Sequence, residues 1–282
     1  MGDYTTVLMQ KLPFDELFEY FVVRPSTTYR QAIGEPVNLD EANFSNLLSR
    51  LGDFQTYYPG MAFWQIIQYK TLTILTGGGD VDIFGRKLES VKDFVRTISR
   101  DYQLPYFRWR AAAYELIFRQ GIPSEPLQVG YRQTIPLKAR DGETYWFTMH
   151  STISQIDANG RIVTNLQTFY LDGKWSARNL RPFEASIYIR NFANSALDQE
   201  LKDQLSLSLI DEFTNAELDL LSLYASGKTV DEILKARSWT RHTLHEYNAN
   251  LLKKAKNLFV YDFRNAREFA EYCLEKGFIR TR

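Results

Sequence analysis

The stretch FTNAELDLLSLYASGKTVDEILKARSWTRHTLHEYNANLLKKAK, residues 213–256, divides itself into three helices joined by two tight breaks. Thr214 stands three residues before Glu217 at the head of an apolar run. That spacing lets each of the two side chains bond the other's backbone N–H at a helix start. Leu218, Leu221 and the pair Tyr224 and Ala225 then recur at helical spacing. Gly227 ends the helix at a position suited to positive φ. A short second helix is expected from about residue 229 to residue 237, with Val230, Ile233 and Leu234 inward. Thr240 can cap a third helix, whose buried face would be Leu244, Tyr247, Leu251, Ala255 and Leu258. The opposite face carries Arg241, His242, His245, Glu246, Ala249, Asn250, Lys253, Lys254 and Lys256.

Helix, short helix, turn and a cation-bearing third helix follow in the order of a helix-turn-helix. These residues resemble the LuxR-type helix-turn-helix, the C-terminal DNA-binding domain of many bacterial transcription regulators. Thr214, Glu217, Leu221, Gly227, Glu232, Ile233, Thr240, Thr243 and Leu251 stand where that pattern has Thr, Glu, Leu, Gly, Glu, Ile, Ser or Thr, Thr and an aliphatic residue. The run DFRNAREFAEYCLEKGFI, residues 262–279, looks like the family's closing fourth helix. Five positions depart from the pattern. Arg237 replaces a Leu, Ser238 a turn Gly and Tyr247 a frequent His, while the pair His245 and Glu246 sits where base-reading residues are often basic or apolar.

The resemblance implies double-stranded DNA as partner and a division of labour along the third helix. Arg241, Thr243, Lys253, Lys254 and Lys256 would contact phosphates, and Thr240 would cap a helix start that itself favours phosphate. His245, Glu246 and Ala249 would face base edges in the major groove, with Asn250 beside them. Charge alone announces no such partner. From residue 213 onward 12 Lys and Arg stand against 9 Asp and Glu, and the whole chain is neutral with 34 of each.

Composition sets the outer limits. The chain has 282 residues, 44% of them hydrophobic and 15% aromatic, enough for two packed domains. No run of about 18 apolar residues exists, so no membrane span is expected. The N-terminus carries acidic residues and lacks a continuous apolar core, so no secretory leader is expected and a cytoplasmic location fits. The single cysteine, Cys273, excludes an internal disulfide and falls at helical spacing, which favours packing.

Before the C-terminal helices two patterns alternate. Phe14, Leu17, Phe18 and Phe21 read as one amphipathic helix, and Leu39, Phe44, Leu47, Leu48 and Leu51 as another. Residues 66–76 read as a strand closed by a Gly77 to Asp80 turn, followed by alternation from Val81 to Gly85. Helices are expected over 91–98 and 106–118, then strands over 131–139, 144–156 and 161–171, the last three joined at Asp141-Gly142 and Asn159-Gly160. The segment RQTIPLKARDGETYWFTMHSTISQIDANGRIVTNLQTFYLDG, residues 132–173, resembles the last three strands of a PAS sensor domain, with a Lys-x-x-Asp-Gly turn at Lys138 to Gly142. A PAS fold implies a cavity or dimer contact on its sheet. Phe107, Trp109, Tyr114, Trp146 and Phe147 would line such a pocket, or fill a core. Residues 174–208 would hold a docked helix around Phe183 to Ile189 and then a polar connector.

The fold expected is α+β, an N-terminal PAS-like antiparallel sheet with helices plus a C-terminal all-α four-helix LuxR-type domain. The boundaries are 1–60 for a helical extension, 61–173 for the sensor, 174–208 for a linker and 209–282 for the DNA-binding head. No enzyme is expected. Gly77 to Gly79 lacks the Gly-Lys-Ser/Thr of a phosphate loop, and His242 with His245 lack further zinc ligands. No cofactor is expected either, since no cysteine lies in the sensor for a covalent flavin and His150 in a strand is its one histidine. The function expected is a cytoplasmic, dimeric transcription regulator answering a small-molecule or protein signal. The alternative is a signalling or scaffold protein whose helix-turn-helix meets another protein, which Glu246 and Arg237 favour.

Overall fold

The computed structural model describes residues 12–28, 30–35, 45, 49, 60–119, 126–176, 181–189, 192–193, 195–210 and 212–279. Seven strands build one sheet: β1 (Met61–Gln68), β2 (Thr73–Gly79), β3 (Val129–Lys138), β4 (Thr144–Ile156), β5 (Ile162–Lys174), β6 (Ala185–Ile189) and β7 (Phe192–Ala193). Their order is β2-β1-β5-β4-β3-β6-β7, and every pairing is antiparallel. The β3–β4 and β4–β5 hairpins close where expected, with Gly142 at φ 83 and Gly160 at φ 74. The sheet and its helices are PAS-like, and a four-helix all-α region follows, so the fold is α+β.

The glycine run behaves differently from its sequence expectation. Gly77, Gly78 and Gly79 lie inside β2, opposite Gln65, Trp64 and Phe63. The Trp64 indole lies so close over the partner strand that a Cβ at Gly78 would come within 2.7 Å of it. Glycine here admits a large ring against the backbone rather than making a turn. The turn falls earlier, at residues 69–72, and Val81–Phe84 is a short 3-10 helix rather than a continued strand.

Nine helices are described. A short α1 (Phe14–Phe18) passes through a π-helical turn, Glu19–Val23, into α2 (Arg24–Thr28). Next come α3 (Val91–Thr97), α4 (Arg100–Arg119) and α5 (Ser195–Ile210). The last four are α6 (Asn215–Ala225), α7 (Val230–Arg237), α8 (Arg241–Phe259) and α9 (Ala266–Glu275). The second expected N-terminal helix, carrying Leu39, Phe44, Leu47, Leu48 and Leu51, lies outside the described residues. The span expected as docked helix and connector instead supplies β6, which pairs with the β3 edge, and α5. Ile187 is fully buried, and the β-branched and aromatic run Ile187 to Ile189 suits a strand.

Helix α4 is the centre of the molecule. Successive residues turn by about 100°, so Phe107, Arg108, Trp109 and Arg110 address different neighbours. Phe107 stacks on Phe21 with ring centroids 5.9 Å apart and meets Phe14 and Phe18. Arg108 pairs with Glu212 at 2.8 Å, just before α6. Trp109 meets Phe183 and, from the chain's closing turn, Phe278. Arg110 and Tyr114 face the sheet. The lead-in to β6 also holds the C-terminal helices, since Phe183 donates its N–H to the Phe259 carbonyl at 3.0 Å. Glu184 meets Tyr272 and Lys276, each at 3.3 Å.

Candidate nucleic-acid interface

The C-terminal helices are fixed at their starts by the reciprocal bonds read from the sequence. Glu217 accepts the Thr214 N–H at 2.7 Å, and Thr214 Oγ1 accepts the Glu217 N–H at 3.3 Å. Thr229 and Glu232 repeat the same arrangement at the start of α7. Their Thr-x-x-Glu spacing is the same local signal that Thr214 and Glu217 carry. Three bonds from Thr229 and Lys228 hold the Glu232 carboxylate down at about 2. Gly227 adopts φ 77 after α6, and Ser238 adopts φ 53 after α7, a left-handed position that a glycine takes more readily. Arg237, standing where the pattern has Leu, pairs with Asp219 of α6 at 2.5 Å. That partner explains how a charge is accommodated at an apolar position. Trp239 then stacks on Tyr247, 4.4 Å apart and 11° from parallel, and buttresses the turn against α8.

Thr240 caps α8 by accepting the Thr243 N–H at 3.1 Å, a contribution of about 1 kcal/mol. No acidic residue sits in the first turn of α8, so its N-terminal N–H groups present unopposed positive potential. Leu244, Leu251, Ala255, Leu258 and Phe259 are buried, as the periodicity required apart from half-buried Tyr247. Arg241, His242, His245, Glu246, Ala249, Asn250 and Lys253 are exposed, and Thr243 is half-buried. The outer face of the first half of the helix is therefore open to solvent. Two polar contacts cross that face, the ion pair of Arg241 with Asp231 at 3.4 Å and a contact of His242 with Glu246 at 3.5 Å. Both are exposed pairs of the kind that solvent makes weak.

The second half of α8 differs. Lys254 does not stand on the outer face. It is 28% exposed and turns inward to Glu217, 2.6 Å away, over the Phe213 ring at 5.6 Å. Glu217 is only 2% exposed, and a buried carboxylate needs a counter-charge. Lys254 thus serves Glu217 here and does not stand on the outer face expected for it. Lys256 is exposed and reaches Asp262 at 2.7 Å. It also stands at the rim of a cleft of about 710 Å³, between α8 and a wall that includes Leu12, Leu17, Arg96 and Arg100.

The expected ligand pocket is brought together only in part. Phe107, Trp109, Trp146 and Phe147 are buried in solid aromatic packing, with Trp146 edge-on to Tyr102 at 5.4 Å and Phe147 against Phe63. These four fill the core instead of lining a space. Tyr114 does line a cavity, about 30 Å³ between α4 and the sheet. The residue missed by sequence reading is Arg110, which lines the same cavity and carries the Tyr114 ring 4.2 Å from its guanidinium carbon. His150 lies on β4 between the Tyr170 and Tyr188 rings, and burial holds its pKa below the usual value with help from Arg132. Cys273 is buried in α9, which pushes its thiol pKa up. Among the described residues no helix is long and apolar enough to cross a membrane, and no group of three or more His, Cys, Asp or Glu could hold a metal ion.

No protein-family model and no curated protein matches this chain. Solved structures similar to it include the phage VqmA–DPO complex, 13% identical with TM-score 0.32, covering 86% of this chain and 92% of that one. A Vibrio cholerae VqmA dimer without target DNA, described among LuxR-type receptors, is 16% identical with TM-score 0.27 and covers 82% and 88%. The N-terminal domain of a Marinobacter aquaeolei diguanylate cyclase with a PAS/PAC sensor is 14% identical with TM-score 0.29 and covers 39% and 94%. Identities and TM-scores this low assign neither family nor function.

Proposed function

We propose that the chain is a bacterial transcription regulator, in which a PAS-like sensory domain controls a LuxR-type DNA-binding head acting as a homodimer in the cytoplasm. One observation carries the reading: Arg241, His242, His245, Glu246, Ala249 and Asn250 leave the outer face of the first half of α8 open to solvent, and Thr240 caps its start. An exposed helix of this kind suits a major groove. Arg241, Thr243 and Lys253 would hold phosphates, with Lys256 at the edge, while His245, Glu246, Ala249 and Asn250 would meet base edges. Lys254 leaves the contact set. Signal would reach the head through α4, since Arg108 and Trp109 touch the C-terminal region from a helix that also faces the sheet cavity.

Selection of bound sequences from random duplex DNA, followed by mobility shifts on the full chain, tests the proposal. Ala249→Glu should abolish specific binding without unfolding the protein. Lys253→Ala should weaken binding to all sequences and lower the salt slope by about one. Wild-type binding by both variants would remove α8 from the groove. A second reading, a scaffold whose helix-turn-helix meets protein, is favoured by Glu246 among the base-facing residues and by the Arg241–Asp231 pair. It predicts no salt-dependent DNA affinity at all.

A further inference from the structure

Arg110 is 7% exposed, and among the described residues no Asp or Glu lines the cavity it borders. A guanidinium keeps its charge in proteins, and a lone buried charge costs several kcal/mol unless something compensates it. The groups around it do not supply a negative charge. Burial pushes the Tyr69, Tyr106 and Tyr131 pKa values up, so these phenols stay neutral. Tyr114 offers a cation–π contact and a hydrogen bond, neutral interactions that lower the cost without cancelling the charge. The sheet side presents amides and a hydroxyl already engaged with each other. Gln65 donates to Gln167 at 2.7 Å and Ser151 to Asn165 at 2.9 Å. The adjoining space of about 30 Å³ is roughly what two waters or one small ion needs.

We propose that this cavity is a binding site for a small monovalent anion, of the size of chloride or formate, held by the Arg110 guanidinium between α4 and the sheet. A single negative charge neutralises the single buried cation. A divalent anion would leave the interior charged, and a bulky one would not fit. The proposal stands whether or not α8 binds DNA, because it rests on the sensor's interior alone.

Thermal unfolding of the full chain tests it at constant ionic strength, with sodium gluconate replaced stepwise by chloride, nitrate or formate. The wild type should show a saturable rise in Tm with each small anion and none with sulfate. Formate should also reverse the chloride-35 line broadening caused by the protein. Arg110→Gln should weaken the anion midpoint at least tenfold. Should that variant fail to fold, Ala113→Val decides, since it leaves Arg110 in place and fills the cavity from the α4 side. No saturable anion effect in the wild type would overturn the proposal. An unchanged midpoint in a folded Arg110→Gln, or in Ala113→Val, would overturn it equally.

Discussion

Lys254→Ala separates a structural lysine from a DNA-contacting one. The ammonium lies 2.6 Å from a carboxylate that is 2% exposed, and it is itself 28% exposed. A hydrogen bond to a charged group contributes about 1.5–3 kcal/mol. Its position over Phe213 adds about 0.5–1 kcal/mol. Thr214 still bonds the carboxylate after the lysine is gone, through its N–H and its hydroxyl. The loss therefore falls short of the roughly 3–5 kcal/mol expected when a buried charge loses its ion-pair partner. We expect about 2–3 kcal/mol of destabilisation, or a Tm lower by roughly 4–10 °C for a chain of this size. The assay is thermal and urea unfolding of four proteins: wild type, Lys254→Ala, Glu217→Gln and the double variant. The cycle should give a coupling of about 1–2 kcal/mol, because the second change costs less once the first is made. DNA affinity measured well below the variant's Tm should stay near wild type. A Tm within about 1 °C of wild type, zero coupling and a flattened salt dependence of DNA binding would refute this reasoning and return Lys254 to the phosphates.

Other outcomes follow from single positions. Gly78→Ala should destabilise by about 1–3 kcal/mol through its clash with the Trp64 indole, and Trp64→Leu should remove most of that penalty; a neutral Gly78→Ala in urea unfolding contradicts the account. Ser238→Gly should stabilise by about 0.5–1 kcal/mol by relieving left-handed backbone at φ 53, read as a higher urea midpoint. His150 has a folded pKa below its unfolded value near 6.5, so the unfolded chain takes up the proton first. Stability should thus decline as pH falls through about 6.5 and below, and His150→Gln should lessen that decline in urea midpoints taken across the window.

The C-terminal helices were legible because their determinants are local. Thr214, Gly227 and Thr240 act within one turn of their own position, and Leu244, Leu251, Ala255 and Leu258 mark a face by period alone. The β3–β4–β5 meander was legible for the same reason, through Asp141-Gly142 and Asn159-Gly160. What stayed hidden depends on distant partners. Gly77 to Gly79 look like a turn until Trp64 is laid across them. Lys254 looks like its neighbour Lys253 until Glu217 is found beneath it. Arg110 gives no signal in a helix full of arginines and aromatics, because only the cavity distinguishes it from Arg108 two residues earlier.

Helix α4 has a final implication for anyone dividing this protein. Trp109 is a wall for Phe278 and Phe183, and Phe183 in turn bonds Phe259. Cutting the chain before residue 213 would strip that wall away and bare aromatic rings that the intact molecule keeps dry. A free-standing carboxyl-terminal fragment should therefore clump or dimerise through its oily flank, and melting of the whole chain should register as one event rather than two.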